Sequence, residues 1–387
     1  MHDDSQVLDV EGLATLISTL RDRGFTVMGP TKRDGAIVTA PLRSLEDLPR
    51  GWQDEQAPGQ YRLRQRQDGA LFGFAAPAQS GKSVLFPADA LLWRSRVTGD
   101  GPHIAPAVDD AGPYAFVGLR SCDLRAIQTQ DRVLLGRAVI DVHYQARRAD
   151  TFVVAVGCSD PAGTCFCVSM GSGPAPDSGH DLALTELYAD PDEHRFVVQA
   201  GSQRGADLLA DLPTRPATPA DLEAAAAVHS GAVARMGRQV ETKGLKDLVY
   251  DSVESPRWDD VAARCLACTN CTLVCPTCFC TSIEDHTSLA GVDAERHRVW
   301  DSCFSQSYSY IHGGSVRAST RSRYRQWLTH KLASWEDQFD MSGCVGCGRC
   351  VTWCPAAIDL TAEAAALRAV ARPNPGATAR PAEETES

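Results

Sequence analysis

Two stretches of this 387-residue chain carry metal chemistry in their spacing. The first is Cys265-Leu266-Ala267-Cys268-Thr269-Asn270-Cys271-Thr272-Leu273-Val274-Cys275-Pro276, and the second is Cys344-Val345-Gly346-Cys347-Gly348-Arg349-Cys350-Val351-Thr352-Trp353-Cys354-Pro355. Both read C-x2-C-x2-C-x3-C-P. Two-residue gaps let successive sulfurs point inward from one tight turn, and the proline after the fourth cysteine turns the chain away. A lone C-x2-C is shared with zinc ribbons. Two complete copies wrap three thiolates each around the corner of a [4Fe–4S] cube, a pattern that zinc sites rarely use.

In two-cluster ferredoxins the fourth cysteine of each run ligates the other cluster. By that resemblance one cluster takes Cys265, Cys268, Cys271 and Cys354, and the other takes Cys344, Cys347, Cys350 and Cys275. Such a crossing pins two distant segments into one unit. The surroundings supply groups that adjust a cluster's potential. Gly343, Gly346 and Gly348 lack a Cβ, so backbone N–H groups can approach sulfur closely. Residues 316–334 form a basic helix candidate with Arg317, Arg321 and Arg325 on one face, together with Arg323, His330 and Lys331. That face meets a cluster or an acidic partner, or is an ordinary solvated face.

Seven of the 15 cysteines lie outside the runs: Cys122, Cys158, Cys165, Cys167, Cys278, Cys280 and Cys303. The first four number enough for a third metal site, while Cys278 and Cys280 stand close enough to a cluster ligand to join it. The bland alternative is that free cysteines are buried small hydrophobes. No complete dinucleotide fingerprint, H-E-x-x-H or evident acid/base pair accompanies them.

Composition narrows the class. A net charge of −11 argues against a nucleic-acid partner. No run approaches 18 apolar residues, so no membrane span is expected. The start, Met1-His2-Asp3-Asp4-Ser5, lacks a basic region and an apolar core, so no secretory signal is expected. Fifteen cysteines without an export signal belong in a reducing compartment, which predicts a cytoplasmic protein.

Several elements must position these residues. Val10, Leu13, Leu16, Ile17 and Leu20 predict a first amphipathic helix over 9–23, and Ala36–Thr39 a strand. Residues 61–67 and 71–74 around Asp68-Gly69 predict a hairpin. Gly81-Lys82-Ser83 has the tail of a phosphate loop but lacks its upstream glycine, and reads as a polar turn. Tyr114–Leu119, the helix after Arg120, and Thr151–Val156 predict a βαβ unit with parallel strands. Ligands of open α/β sheets bind beyond the carboxyl ends of strands, so Cys122 and Cys158 are expected to face one crevice. Two alternating runs flank Asp190-Pro191-Asp192-Glu193, and residues 202–212 and 219–236 read as helices. The Pro-rich end from Pro373 reads as a disordered tail.

With these residues assembled, the chain resembles the β subunit of cytoplasmic sulfhydrogenases, the NAD(P)-linked NiFe hydrogenases. It is similar also to one chain of anaerobic sulfite reductase, a relative of that family. The resemblance runs from about Tyr61 to Leu360. It rests on Gly118-Leu-Arg-Ser-Cys-Asp-Leu-Arg-Ala-Ile127, Thr164-Cys-Phe-Cys-Val-Ser-Met-Gly171, Cys275-Pro-Thr-Cys-Phe-Cys280, Trp300-Asp-Ser-Cys303 and the two cysteine runs. The cluster region itself resembles the α-helical ferredoxin domain.

This implies an α+β protein whose N-terminal α/β domain, with its cysteine crevice, spans 1–230. A helical connection over 231–257, a dicluster domain over 258–371 and the tail over 372–387 follow. The implied role is an electron-transfer subunit with two [4Fe–4S] clusters and no catalytic residue of its own. One implied partner is a flavin-containing, NAD(P)-binding subunit, the other is a NiFe hydrogenase small subunit, and electrons pass between them through this chain. The rival reading is an enzyme that reduces sulfur or a thiol at a third cluster in the Cys122/Cys158/Cys165/Cys167 crevice.

Overall fold

The computed structural model describes residues 5–107, 112–136, 138–188 and 193–371. Asp190, Pro191 and Asp192, and the tail from Pro373, lie outside them. The N-terminal half is built on an eight-stranded mixed sheet. Strand β1 (Gln6–Asp9) leads into helix α1 (Val10–Asp22), whose N-cap Asp9 accepts a hydrogen bond from Gly12 N at 2.7 Å. Leu13, Leu16, Ile17 and Leu20 are fully buried, as their spacing predicts. At about 1.5–3 kcal/mol each for such side chains, this stripe is what holds the helix on the sheet.

Strands β2 (Thr26–Arg33) and β3 (Ala36–Pro41) follow, then β4 (Trp52–Ala57) and β5 (Gln60–Gln65). The expected hairpin at Asp68-Gly69 is corrected here. Residues 60–65 pair backwards with β4 through a turn at Pro58-Gly59, and residues 71–74 join no ladder. The physical reason is that side chains claim the backbone of 71–74. The Glu186 carboxylate accepts from Leu71 N at 2.6 Å and Phe72 N at 2.8 Å, while Arg120 donates to Phe72 O and Phe74 O, both at 2.6 Å. The polar turn expected at Lys82 is instead a buried short helix, α2 (Lys82–Leu85), with Lys82 6% exposed.

The strands β6 (Asp89–Thr98) and β7 (Gly101–Pro106) form a hairpin outside the main sheet. Then come β8 (Tyr114–Leu119), α3 (Ser121–Leu134), α4 (Val142–Ala149) and β9 (Phe152–Val156). Strands β8 and β9 pair in parallel, as the βαβ pattern requires. Strands β10 (Leu182–Leu187) and β11 (Arg195–Ala200) pair antiparallel, and helices α5 (Gln203–Leu209) and α6 (Pro219–Ala234) occupy the two segments read as helical. With β12 (Arg215–Pro216) at the edge, the sheet order is β12-β1-β11-β10-β9-β8-β2-β3.

Helices dominate the C-terminal region. They are α7 (Leu245–Asp251), α8 (Arg257–Arg264), α9 (Asn270–Leu273), α10 (Thr320–Thr329), α11 (Trp335–Phe339), α12 (Arg349–Thr352) and α13 (Leu360–Ala371). A π-helical turn at His330–Ser334 joins α10 to α11. One insertion departs from an all-helical unit: β13 (Thr281–Thr287) and β14 (Asp293–Trp300) form a hairpin, and β14 pairs with β6 into a four-stranded sheet. The two halves of the chain are therefore sewn together by strand pairing as well as by side chains.

Candidate metal centre

The two cysteine runs adopt the same local path. Cys265 caps α8, Cys271 lies on α9 and Cys275 follows it; Cys350 lies on α12 and Cys354 follows it. Each loop needs two left-handed residues. In the first run these are Ala267 (φ 49°) and Thr269 (φ 67°), and in the second Gly346 (φ 65°) and Gly348 (φ 75°). The difference has a cause in packing. A Cβ on Gly346 would stand 2.6 Å from Phe166 O, and one on Gly348 2.6 Å from Thr164 O. The second run is pressed against the N-terminal half, whereas the first lies near the surface, with Cys268 exposed and Leu266 68% exposed. The glycines of the second run thus serve the approach of protein backbone, beyond the N–H to sulfur contact expected of them, which Gly346 N also makes to Cys344 Sγ at 3.5 Å.

Cys265, Cys268, Cys271, Cys350 and Cys354 ring one cavity, walled by Phe304, Tyr324, Trp327, Ile358 and Leu360. The first three cysteines of run one therefore meet the last two of run two, Cys350 and Cys354, at one space. Among the described residues no three His, Cys, Asp or Glu side chains converge as they would on a single ion. The thiols stand around a volume instead. Two buried donors of the wall, the Tyr324 hydroxyl and the Trp327 indole N–H, have no hydrogen-bond partner among the described residues. Soft sulfur ligands around an apolar space, with donors left over, fit an iron–sulfur cluster, whose inorganic sulfides accept such bonds.

Cys344, Cys347, Cys350 and Cys275 form the second gathering, each within electrostatic reach of others of the set. Burial pushes the Cys344 thiol up to about 12 and raises Cys347 and Cys350. Buried thiols of this kind become thiolates when a cation compensates them, so metal loading releases protons. Cys275 is the exception: a hydrogen bond with Cys278 holds it low despite burial, helped by Lys331. Lys331 is 3% exposed and donates to Thr277 Oγ1 at 2.9 Å and to Gly343 O at 3.2 Å. Burial alone would lower its pKa, but Cys275, Cys278 and Cys344 outweigh burial and hold the lysine protonated. Thr277 Oγ1 in turn lies 3.2 Å from Cys275 Sγ.

Lys331 stood in the basic-helix reading as one cation among several. At about 3.6 residues per turn a position six residues after Arg325 falls well off the arginine face, and Lys331, in the π-helical turn His330–Ser334, is buried in the core. The arginines themselves are committed elsewhere. Arg321 pairs with Asp259 at 3.1 Å and with Glu254 at 3.5 Å, Arg325 donates to Val253 O, and Arg317 donates to Gln326. That face binds α8 and its neighbours rather than a cluster.

The expected crevice beyond β8 and β9 exists but is filled. Cys122, Cys165 and Cys167 are buried, and Cys347 enters among them, so that Cys122, Cys158, Cys165, Cys167 and Cys347 influence one another. The plug is held by Arg349, 1% exposed, whose guanidinium pairs with buried Asp123 at 2.8 Å and donates to Pro77 O at 2.6 Å. Thr352 and Thr164 hydroxyls meet at 2.7 Å, and Phe166 N donates to Gly346 O at 2.8 Å. The Arg349–Asp123 pair was absent from the sequence reading. An arginine inside a cysteine run, where a cluster needs only the thiols, is the signal for it.

Residues 264–358 match the family model of the 4Fe-4S dicluster domain. Fold and site thus define an iron–sulfur protein of the dicluster type, a mixed α+β chain with a helical cluster region. The chain is 33% identical over 260 residues to sulfhydrogenase 2 subunit beta of Pyrococcus furiosus, an alignment covering 65% of this chain and 73% of that one. It belongs to the sulfhydrogenase beta-subunit family and is an iron–sulfur electron-transfer subunit. No solved structure matches it.

Proposed function

We propose that this chain carries two [4Fe–4S] clusters and relays electrons between two partners in the cytoplasm. On one side is a flavin-containing, NAD(P)-reactive subunit; on the other is a NiFe hydrogenase small subunit. Cys265, Cys268, Cys271 and Cys354 hold the first cluster. Cys344, Cys347, Cys350 and Cys275 hold the second. The observation that supports the assignment is the cavity that brings the first three cysteines of one run together with Cys350 and Cys354 of the other. The bound clusters supply one-electron redox chemistry. The protein's part is to hold the thiolates, exclude water with aromatic walls, and place Lys331 beside the second set.

The exposed edge at Leu266 and Cys268 favours entry or exit of electrons at the first cluster, because electron exchange with a partner needs a short approach. The second set faces the N-terminal half and the four cysteines Cys122, Cys158, Cys165 and Cys167. If those four hold a third cluster, it is the inward continuation of the relay. The burial of Cys122, Cys165 and Cys167 supports that use over an open sulfur-reducing site.

Iron and sulfide per chain on anaerobically purified protein, with EPR after reduction, test the reading. Eight irons with two interacting signals are expected for two clusters, and about twelve for three. Cys268→Ala should lose one cluster and stop partner-linked NAD(P)H oxidation. Full activity in that variant, or zinc in place of iron, would overturn the relay. A sirohaem subunit rather than a NiFe subunit co-purifying with the chain would place it in a sulfite-reducing complex.

A further inference from the structure

Three cysteines remain that neither run nor crevice uses, and two of them form a pair. Cys280 precedes β13, and its carbonyl accepts from Asp301 N at 2.9 Å, continuing the Thr281–Trp300 pairing of β13 with β14. Cys303 arrives two residues past that bond. The register of that ladder brings the Cys280 and Cys303 side chains close enough to interact. The Tyr308 side chain lies near enough to Cys280 to interact with it as well. Both cysteines are half-buried rather than sealed in, and the segment that covers them, around Tyr308 and Ser309, is itself partly exposed.

We propose that Cys280 and Cys303 form a redox-active dithiol–disulfide pair that exchanges with small disulfides, at a site separate from the eight cysteines of the two runs. The proposal rests on the reading that those eight hold the iron. The chemistry balances without any further reactant. Cys280 as thiolate attacks one sulfur of a low-molecular-weight disulfide; a mixed disulfide forms and one small thiol leaves with the proton that Cys280 gave up. Cys303 then attacks the Cys280 sulfur, the mixed disulfide breaks, and the second small thiol leaves with the proton of Cys303. The two protein thiols have lost two electrons and two protons, and the small disulfide has gained them.

The division of labour follows from the surroundings. The hydrogen bond from Cys303, reinforced by Tyr308 and by the charge of Lys331, brings Cys280 down to about 6, so that it is largely thiolate near neutral pH. Cys303, as the donor to Cys280 and itself partly desolvated, is held up as a thiol. Cys280 is therefore the attacking sulfur and Cys303 the resolving one.

The test uses the full iron-loaded chain, equilibrated in oxidised and reduced dithiothreitol mixtures, alkylated and mapped by peptide mass spectrometry, with iron and sulfide counted on the same samples. Arg296 and Arg298 lie between the two cysteines, so trypsin separates them unless they are linked. Expected is a Cys280–Cys303 linked peptide that appears in oxidising mixtures and disappears in reducing ones while iron stays constant. Cys280→Ser and Cys303→Ser should each abolish the linked peptide and keep the iron content of the unaltered chain. Loss of iron in either variant would make the pair metal ligands and overturn the proposal, as would full iron with no linked peptide at any ratio. A linked peptide in an unaltered chain that holds no iron would instead sink the cluster reading and leave the pair standing.

Discussion

Lys331→Met removes a positive charge from beside the second thiol set while keeping most of the side chain's volume. The hydrogen-bond geometry bounds the effect. Nζ lies 2.9 Å from Thr277 Oγ1, and that oxygen lies 3.2 Å from Cys275 Sγ, so the charge sits within about 6 Å of the sulfur. At an effective dielectric constant of about 20, a unit charge at that distance is worth about 3 kcal/mol. One tenfold change in a one-electron equilibrium is 59 mV, or about 1.4 kcal/mol, so the ceiling is about 120 mV. The added electron spreads beyond the sulfur, and the expected shift is a fall of about 50–100 mV in the potential of one cluster. Folding should survive, because Gly343 O keeps its hydrogen bond from Thr277 Oγ1 at 2.7 Å. An EPR-monitored redox titration of the variant and the unaltered chain reads the shift directly. Unchanged potentials at both clusters, with iron content intact, would refute the assignment of Lys331 as the charge that tunes the second site.

Three further outcomes are expected. Trp327→Phe removes a buried N–H donor from the first cavity and should lower that cluster's potential by tens of millivolts, since a net hydrogen bond is worth about 0.5–1.5 kcal/mol; an identical titration curve would show that the indole does not face the cluster. Gly346→Ala should destabilise the chain by about 2 kcal/mol or more, while Ala267→Gly at the equivalent turn should be neutral to stabilising, because only the former drives a Cβ to 2.6 Å from a backbone oxygen. Urea denaturation of both variants checks the contrast, and equal effects would count against the packing argument.

The last concerns pH. Burial, with Lys331 next to it, lowers His330 to about 4. The unfolded chain takes up this proton near pH 6.5 and the folded chain does not, so stability falls as pH drops from about 6.5 to about 4, by at most about 3 kcal/mol. His330→Gln should flatten that part of the curve, and parallel curves for the two proteins would contradict it.

The sequence alone determined the chemistry. Cysteine spacing is a local property, since two- and three-residue gaps decide which sulfurs share a turn, and the turn forms the same way in both runs. The amphipathic stripe of α1 and the parallel pair β8–β9 were legible for the same reason: their patterns repeat within one element and need no distant partner. Tertiary structure decided everything that depends on which side chain reaches which backbone. Glu186 and Arg120 claim residues 71–74, so a segment with strand-like composition makes no strand, and its neighbour pairs with β4 instead. Lys331, on a π-helical turn, lies in the core, while the arginines around it pair with α8 and nearby residues. The second cysteine run needs glycine where the first accepts Ala267 and Thr269, because Arg349 and Asp123 draw that run against the N-terminal half until backbone meets backbone. Ligand identity is written in short-range spacing; burial, charge and solvent access at the ligands are sums over contacts from remote parts of the chain, and they exist once the chain has closed on itself.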